Sequence, residues 1–343
     1  MRTFILLAIA CLLAVPASAQ QFGAALASTD TELFAGEGGN RVIPGTVYVY
    51  SRTSDGSWVE SGSLKASDAG ENEDGFGRAI SADGTILAVG APVAEAVYVF
   101  EKSADGSWNQ VARLTGFGKG LGSAVAVRGK QLIASASGDG TEENPGFTHV
   151  WTRQNDGTWA MTGHLGSEEL SFSMASAQVA IDEDFALVGA PGANERAGMV
   201  VVFKKGEGGV WQEIQQLKMP VSEPNQLFGT SLYLHHGHAM IGAPGYENRM
   251  GGVALYHFNE ETSLFDFSLR IAAATASGNE VFGISMTHDS NHQVWIGASG
   301  ANSNMGAAYA FSPSNMMKEF EAKGLVKVEG LQIRSIFGSS FAA

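Results

Sequence analysis

One unit recurs along this 343-residue chain, and that recurrence restricts the fold more than any other feature. The unit reads Phe-Gly, an apolar run ending in Gly-Ala, a loop, a Val-Tyr-Val-Phe-like run, Gly-x-Trp and a final Leu. The clearest copy runs through Phe76-Gly77, Leu87-Ala88-Val89-Gly90-Ala91-Pro92, Val97-Tyr98-Val99-Phe100, Asp105-Gly106-Ser107-Trp108 and Leu114. Copies start near 22, 76, 121, 175, 228 and 282. A partial seventh opens at Phe337-Gly338 and supplies a first strand only. The Gly of Gly-Ala stands at 90, 189, 242 and 297, with Gly36 (before Glu37) in the same place in the first copy and Ser135 in the third, giving intervals of 54, 45, 54, 53 and 55.

Each unit holds four short apolar runs separated by turn residues. Runs such as Val47–Tyr50 and Met199–Phe203 are nearly continuous, which suits strands buried on both faces. Asp83-Gly84, Asp55-Gly56, Asp105-Gly106 and Asp156-Gly157 read as tight hairpin turns. A four-stranded antiparallel unit of about 50 residues, repeated in series, is a β-propeller blade. The fold expected is all-β: a propeller with six complete repeats and the first strand of a seventh. Residues 20–343 form one domain, preceded by a leader at 1–19.

These motifs resemble the FG-GAP repeat family, best known from the propeller of integrin α chains. Gly-Ala-Pro is intact at 90–92, 189–191 and 242–244, and Phe-Gly at 22–23, 76–77, 228–229, 282–283 and 337–338. The resemblance covers residues 22 to about 325. It implies one blade per repeat, seven blades as the usual number, a role in adhesion, and calcium in the first hairpin of a blade. The hairpins here depart from that calcium pattern. Ser81-Ala82-Asp83-Gly84, Asp182-Glu183-Asp184 and Asp289-Ser290-Asn291 are too short to offer the six to eight oxygens calcium takes. No cofactor is expected. Asp182 and Asp184 are the nearest to a remnant calcium loop.

The leader follows from its pattern. Arg2 precedes an apolar run from Phe4 to Val15, Pro16 breaks it, and Ala17-Ser18-Ala19 is a small-x-small cleavage site. The product is expected to be secreted, extracellular or at the cell surface, or periplasmic if the source is bacterial. No stretch reaches the roughly 18 apolar residues of a membrane span. The one cysteine, Cys11, lies in the leader, so no disulfide or thiolate chemistry is expected. Lys and Arg total 21 against 35 Asp and Glu, a net charge of −14, which excludes a nucleic-acid partner.

Three groups of residues stand out as sites. The loops after Gly-Ala carry Asn40, Arg41, Asn194, Arg196, Asn248, Arg249 and Asn302. In a propeller, equivalent loops gather on one face, where guanidinium and amide groups bind carboxylates or glycans. Alternatively they are ordinary turn residues. His235, His236 and His238 share a hairpin, and His288 and His292 flank the next one. Gathered imidazoles can hold zinc or copper, whereas solvated turn histidines hold nothing. Trp58, Trp108, Trp159 and Trp211 recur at intervals of 50, 51 and 52, which points to packing between blades rather than sugar platforms.

No Gly-x-Ser-x-Gly, phosphate-binding Gly loop or His-Glu-x-x-His occurs. The expectation is therefore a non-catalytic propeller, not an enzyme, that binds an extracellular protein or polysaccharide through loops on one face. The alternative is a secreted carbohydrate-active enzyme, a polysaccharide lyase or hydrolase. Self-association through an incomplete blade edge is a third option.

Overall fold

The computed structural model describes residues 22–39, 42–137, 146–166, 178–273, 278–288, 294–314 and 319–326. Within them the chain forms six four-stranded antiparallel sheets, each in chain order. The six-bladed propeller read from the repeats is the observed architecture. Blade 1 holds Ala25–Ser28, Glu32–Gly36, Val47–Arg52 and Trp58–Leu64; blade 2 holds Ala79–Asp83, Ile86–Ala91, Ala96–Lys102 and Trp108–Leu114. Blade 3 holds Leu121–Arg128, Gln131–Ala136, Phe147–Arg153 and Trp159–Leu165; blade 4 holds Val179–Ile181, Phe185–Ala190, Met199–Lys205 and Trp211–Leu217. Blade 5 holds Leu232–His235, His238–Ala243, Gly252–Asn259 and Leu264–Ile271; blade 6 holds Phe282–His288, Val294–Ala298, Ala307–Ser314 and Glu319–Val326. The leader, the opening of the fourth repeat, Phe337-Gly338, Asn40 and Arg41 lie outside the described residues.

The middle strands of a blade are buried on both sides because two neighbours cover them. In blade 2, Leu87, Val89 and Ala91 pack toward blade 1, while Ala88 packs toward blade 3. That is why these runs are continuously apolar rather than alternating. The outermost strand has one wet edge, and Trp108–Leu114 accordingly alternates between half-buried and exposed until Leu114. Among the described residues, five apolar clusters fill the five seams from blade 1–2 to blade 5–6.

The repeat motifs are seam chemistry. A Cβ placed on Gly36 would lie 2.0 Å from the carbonyl oxygen of Gly77, and one on Gly90 would lie 2.0 Å from that of Gly122. Only glycine lets the Gly-Ala strand of one blade approach the Phe-Gly of the next so closely. The Phe of each Phe-Gly then meets the aromatic of its own third strand edge-on, as in Phe76–Tyr98 at 5.5 Å and Phe282–Tyr309 at 5.4 Å. Trp108, Trp159 and Trp211 are partly buried against the cluster of the preceding seam, so packing accounts for these three. All six blades also carry a register shift between the third and fourth strands, for example at Val49/Tyr50 and Val202/Phe203. One extra residue there steepens the twist of the outer strand.

Candidate functional site

The first hairpin of each blade lies at one end of its inner strand and the Phe-Gly at the other. On the hairpin face, blades 4 and 5 enclose a cleft of about 450 Å³ lined by Asp182, Glu183, Asp184, Lys204, His236 and Glu260 over Phe185 and Phe258. Local rules place each group. Asp182 Oδ1 accepts the backbone N–H of Asp184 (3.0 Å) and of Phe185 (2.7 Å), which closes the turn and pushes Glu183 outward. His236 and Gly237 both take positive φ, 46° and 71°, in a two-residue hairpin loop. The imidazole thereby stands over the neighbouring blade, with Nδ1 3.9 Å from Glu183 Oε2. Lys204 reaches across the floor, its Nζ 4.5 Å from the Phe258 ring centroid.

Glu183 belongs to a longer line of charges that joins four blades. Arg128 Nη1 lies 3.5 Å from Asp83, and its Nη2 lies 3.4 Å from Glu183. The backbone N–H of Gly129 donates to Asp83 Oδ2 at 2.5 Å, and that of Gly237 to Asp182 Oδ2 at 3.5 Å. The cleft thus offers a carboxylate-supported imidazole, an ammonium group and an apolar floor, all open to water. That set can move a proton and stabilise a developing anion.

The sequence-selected residues divide differently. Asn194, Arg196, Asn248, Arg249 and Asn302 sit in single-turn segments after the second strands of blades 4, 5 and 6, on the Phe-Gly face. All five have positive φ, a conformation that Asn tolerates better than most residues. The turns are fixed by the next blade: Leu227 N donates to Arg196 O at 2.9 Å, and Val281 N to Arg249 O at 2.9 Å. The side chains themselves are exposed. Asp182, the remnant calcium position, spends its oxygens on backbone donors. Among the described residues no three metal-ligating side chains come together. Of the histidines, His235 and His236 meet edge-on at 4.1 Å, and burial lowers the pKa of His238. The His288 side chain and His292 lie outside the described residues.

Sequence reasoning passed over Lys204 and Arg128 and weighed Glu183 only as part of a turn. No linear signal marks them as partners, since Arg128 comes from blade 3, Glu183 and Lys204 from the first hairpin and the third strand of blade 4, and His236 from blade 5.

The sequence matches the FG-GAP repeat model at residues 58–105. That span runs from the outer strand of blade 1 through the third strand of blade 2, so the family's repeat is offset from the blade by one strand. The chain is a six-bladed propeller that carries an FG-GAP repeat. No curated protein matches this propeller in sequence. Among solved structures it is similar to a proposed 6-phosphogluconolactonase from Bacteroides uniformis, with 11% identity, 89% of this chain and 85% of that chain covered, and a TM-score of 0.65. It is also similar to the periplasmic gluconolactonase of Pseudomonas aeruginosa, with 14% identity, 89% and 85% coverage, and a TM-score of 0.60.

These neighbours correct the expectation that the chain is not an enzyme. The scaffold is shared with proteins named as lactonases. The missing short motifs carry no weight on a propeller, where acting groups meet from distant hairpins. Among the described residues no helix is long and apolar enough to cross a membrane.

Proposed function

We propose that this six-bladed propeller is an exported hydrolase of neutral, sugar-type lactones, acting in the cleft between blades 4 and 5. The His236–Glu183 pair facing Lys204 carries the reading. In the reaction, His236 Nε2 takes a proton from water as the oxygen attacks the lactone carbonyl. Glu183 accepts the Nδ1–H and steadies the imidazolium, and the Lys204 ammonium faces the new oxyanion. Collapse breaks the ring C–O bond, and the leaving alkoxide takes the proton back from His236, giving an open hydroxy acid. A separation of 3.9 Å closes to hydrogen-bond length with a small rotation of either exposed side chain. The lactonase names of the structural neighbours support the same reaction class.

The cleft holds four acids, Asp182, Glu183, Asp184 and Glu260, against Lys204 and His236. That balance disfavours a phosphorylated substrate and helps expel a carboxylate product. The test is alkali uptake at constant pH with glucono-δ-lactone, corrected for spontaneous opening. Acceleration by the wild type, falling about 100-fold or more in His236→Ala, is expected. No acceleration, or an unchanged rate in His236→Ala, would sink the proposal.

A second reading rests on the opposite face. Arg196 and Arg249 are exposed and their turns are held rigidly by the next blade, together with Asn194, Asn248 and Asn302. Such a set fits an acidic extracellular protein or glycan. Capture of an acidic polysaccharide by the wild type but not by Arg196→Ala/Arg249→Ala would support it, and equal capture would remove it.

A further inference from the structure

The inner strands of all six blades surround a channel on the propeller axis. Its cavity measures about 290 Å³ and lies where the inner strands leave their Phe-Gly motifs. The residue after Phe-Gly, or after Leu121-Gly122, lines the wall in five blades, as Ala24, Arg78, Ser123, Thr230 and Ile284, and Gln178 lines it in blade 4. Five of these are neutral. Arg78 is the one charged group on the described wall, and no carboxylate lines the cavity with it.

Three facts make this arrangement more than a solvated arginine. First, the backbone of Arg78 is clamped. Its N–H donates to Gly75 O at 3.1 Å, and a Cβ on Gly38 of blade 1 would lie 2.3 Å from Arg78 N. The side chain therefore leaves a fixed point on the wall. Second, the guanidinium has no hydrogen-bond or ion-pair partner among the described residues, although the protein carries a net charge of −14 and Arg113, Arg128, Arg153 and Arg270 each find an acid. Third, the hydroxyl protons around it are already committed. Ser123 donates to Ser135 O at 3.1 Å, Thr230 to Leu227 O at 2.7 Å, and Ser231 to Gly283 O at 2.7 Å. What those hydroxyls still present is lone pairs.

The channel therefore combines one fixed multiple donor for an anion with a collar of acceptors for hydroxyl groups, and Gln178 adds an amide of both kinds. We propose that it is a binding site for a small polyhydroxylated carboxylate, anchored by Arg78. The planar guanidinium pairs with a carboxylate through two parallel N–H···O bonds. The ligand's hydroxyls donate to Ser123 and Thr230. A neutral polyol lacks the anchor, and a simple carboxylate lacks the donors. The site is distinct from the cleft of blades 4 and 5 and does not depend on the activity proposed there.

Calorimetric titration of the purified protein with gluconate, sorbitol, acetate and inorganic phosphate tests it. The expected result is saturable 1:1 binding of gluconate and no saturation by sorbitol. Arg78→Gln should weaken gluconate about ten- to hundredfold, the loss of one charged hydrogen-bond pair. Arg78→Lys should recover part of it. Arg78 is exposed, so both variants should melt with the wild type, and the ligand comparison on unmodified protein needs no variant. Unchanged affinity in Arg78→Gln, equal binding of sorbitol, or tighter binding of phosphate would each overturn the assignment. His236→Ala should lose lactone turnover and keep gluconate binding, which separates the two sites.

Discussion

Blades 1 and 2 carry the same three aromatic positions and treat them in opposite ways. In blade 2, Phe76 is 0% exposed, Tyr98 is 1% exposed, and Trp108 lies edge-on to Phe34 at 5.2 Å while donating to Glu32 at 3.2 Å. In blade 1, Phe22 is 46% exposed and Trp58 43%, although Phe22 still meets Tyr48 edge-on at 5.4 Å. The pair within a blade is thus set by the motif. Burial of the pair is set by the preceding blade, which supplies Phe34, Val47 and Val49 to Phe76 and Tyr98. A repeat motif specifies half of a seam, and its stabilisation appears only when the other half arrives.

The comparison breaks most sharply at phenylalanine. Phe76→Ala should cost about 3–5 kcal/mol in chemical denaturation, whereas Phe22→Ala should cost about 1 kcal/mol or less. Equal losses would mean that the exposed face of blade 1 is covered in solution. The next effect is at the glycines. Gly36→Ala drives a methyl group into Gly77 O and should cost about 1–3 kcal/mol, whereas Gly62→Ala, with nothing within 4 Å of a Cβ, should change stability by about 0.5 kcal/mol or less.

The smallest effect concerns His149, which takes the position held by Tyr98 in blade 2. It is buried, with Nε2 2.7 Å from Phe117 O and Nδ1 without a partner, and burial lowers its pKa below 6.5. The unfolded chain then binds a proton at a pH where the folded chain does not. Stability from this group is therefore full above about pH 6.5 and is lost as pH falls through that value toward the lower folded pKa. The melting temperature of His149→Tyr should fall less than that of the wild type between pH 7 and pH 5. Parallel curves would show that His149 is not the sensor.

How much was legible beforehand differs between fold and site. The blade count, the strand runs and the turns at Asp55-Gly56, Asp105-Gly106 and Asp156-Gly157 could be read because each depends on neighbours within one repeat. Each of these glycines does take positive φ, from 87° to 88°, beside an Asp that accepts the next backbone N–H. The same reading placed Trp58 with the packing tryptophans, yet the structure leaves it largely open, because its partner would have to come from another blade. The cleft was harder still. Glu183, Lys204 and His236 span 53 residues and two blades, and no spacing rule connects them.

The sequence by itself determined the blade. Its period, its turn glycines and its two-faced apolar strands follow from local backbone preference and from which residues must leave water. Tertiary structure alone decided which side chains share a cleft or a channel. Residues such as Arg78 and Glu183 meet their surroundings across the ring, at distances set by how the blades pack against one another.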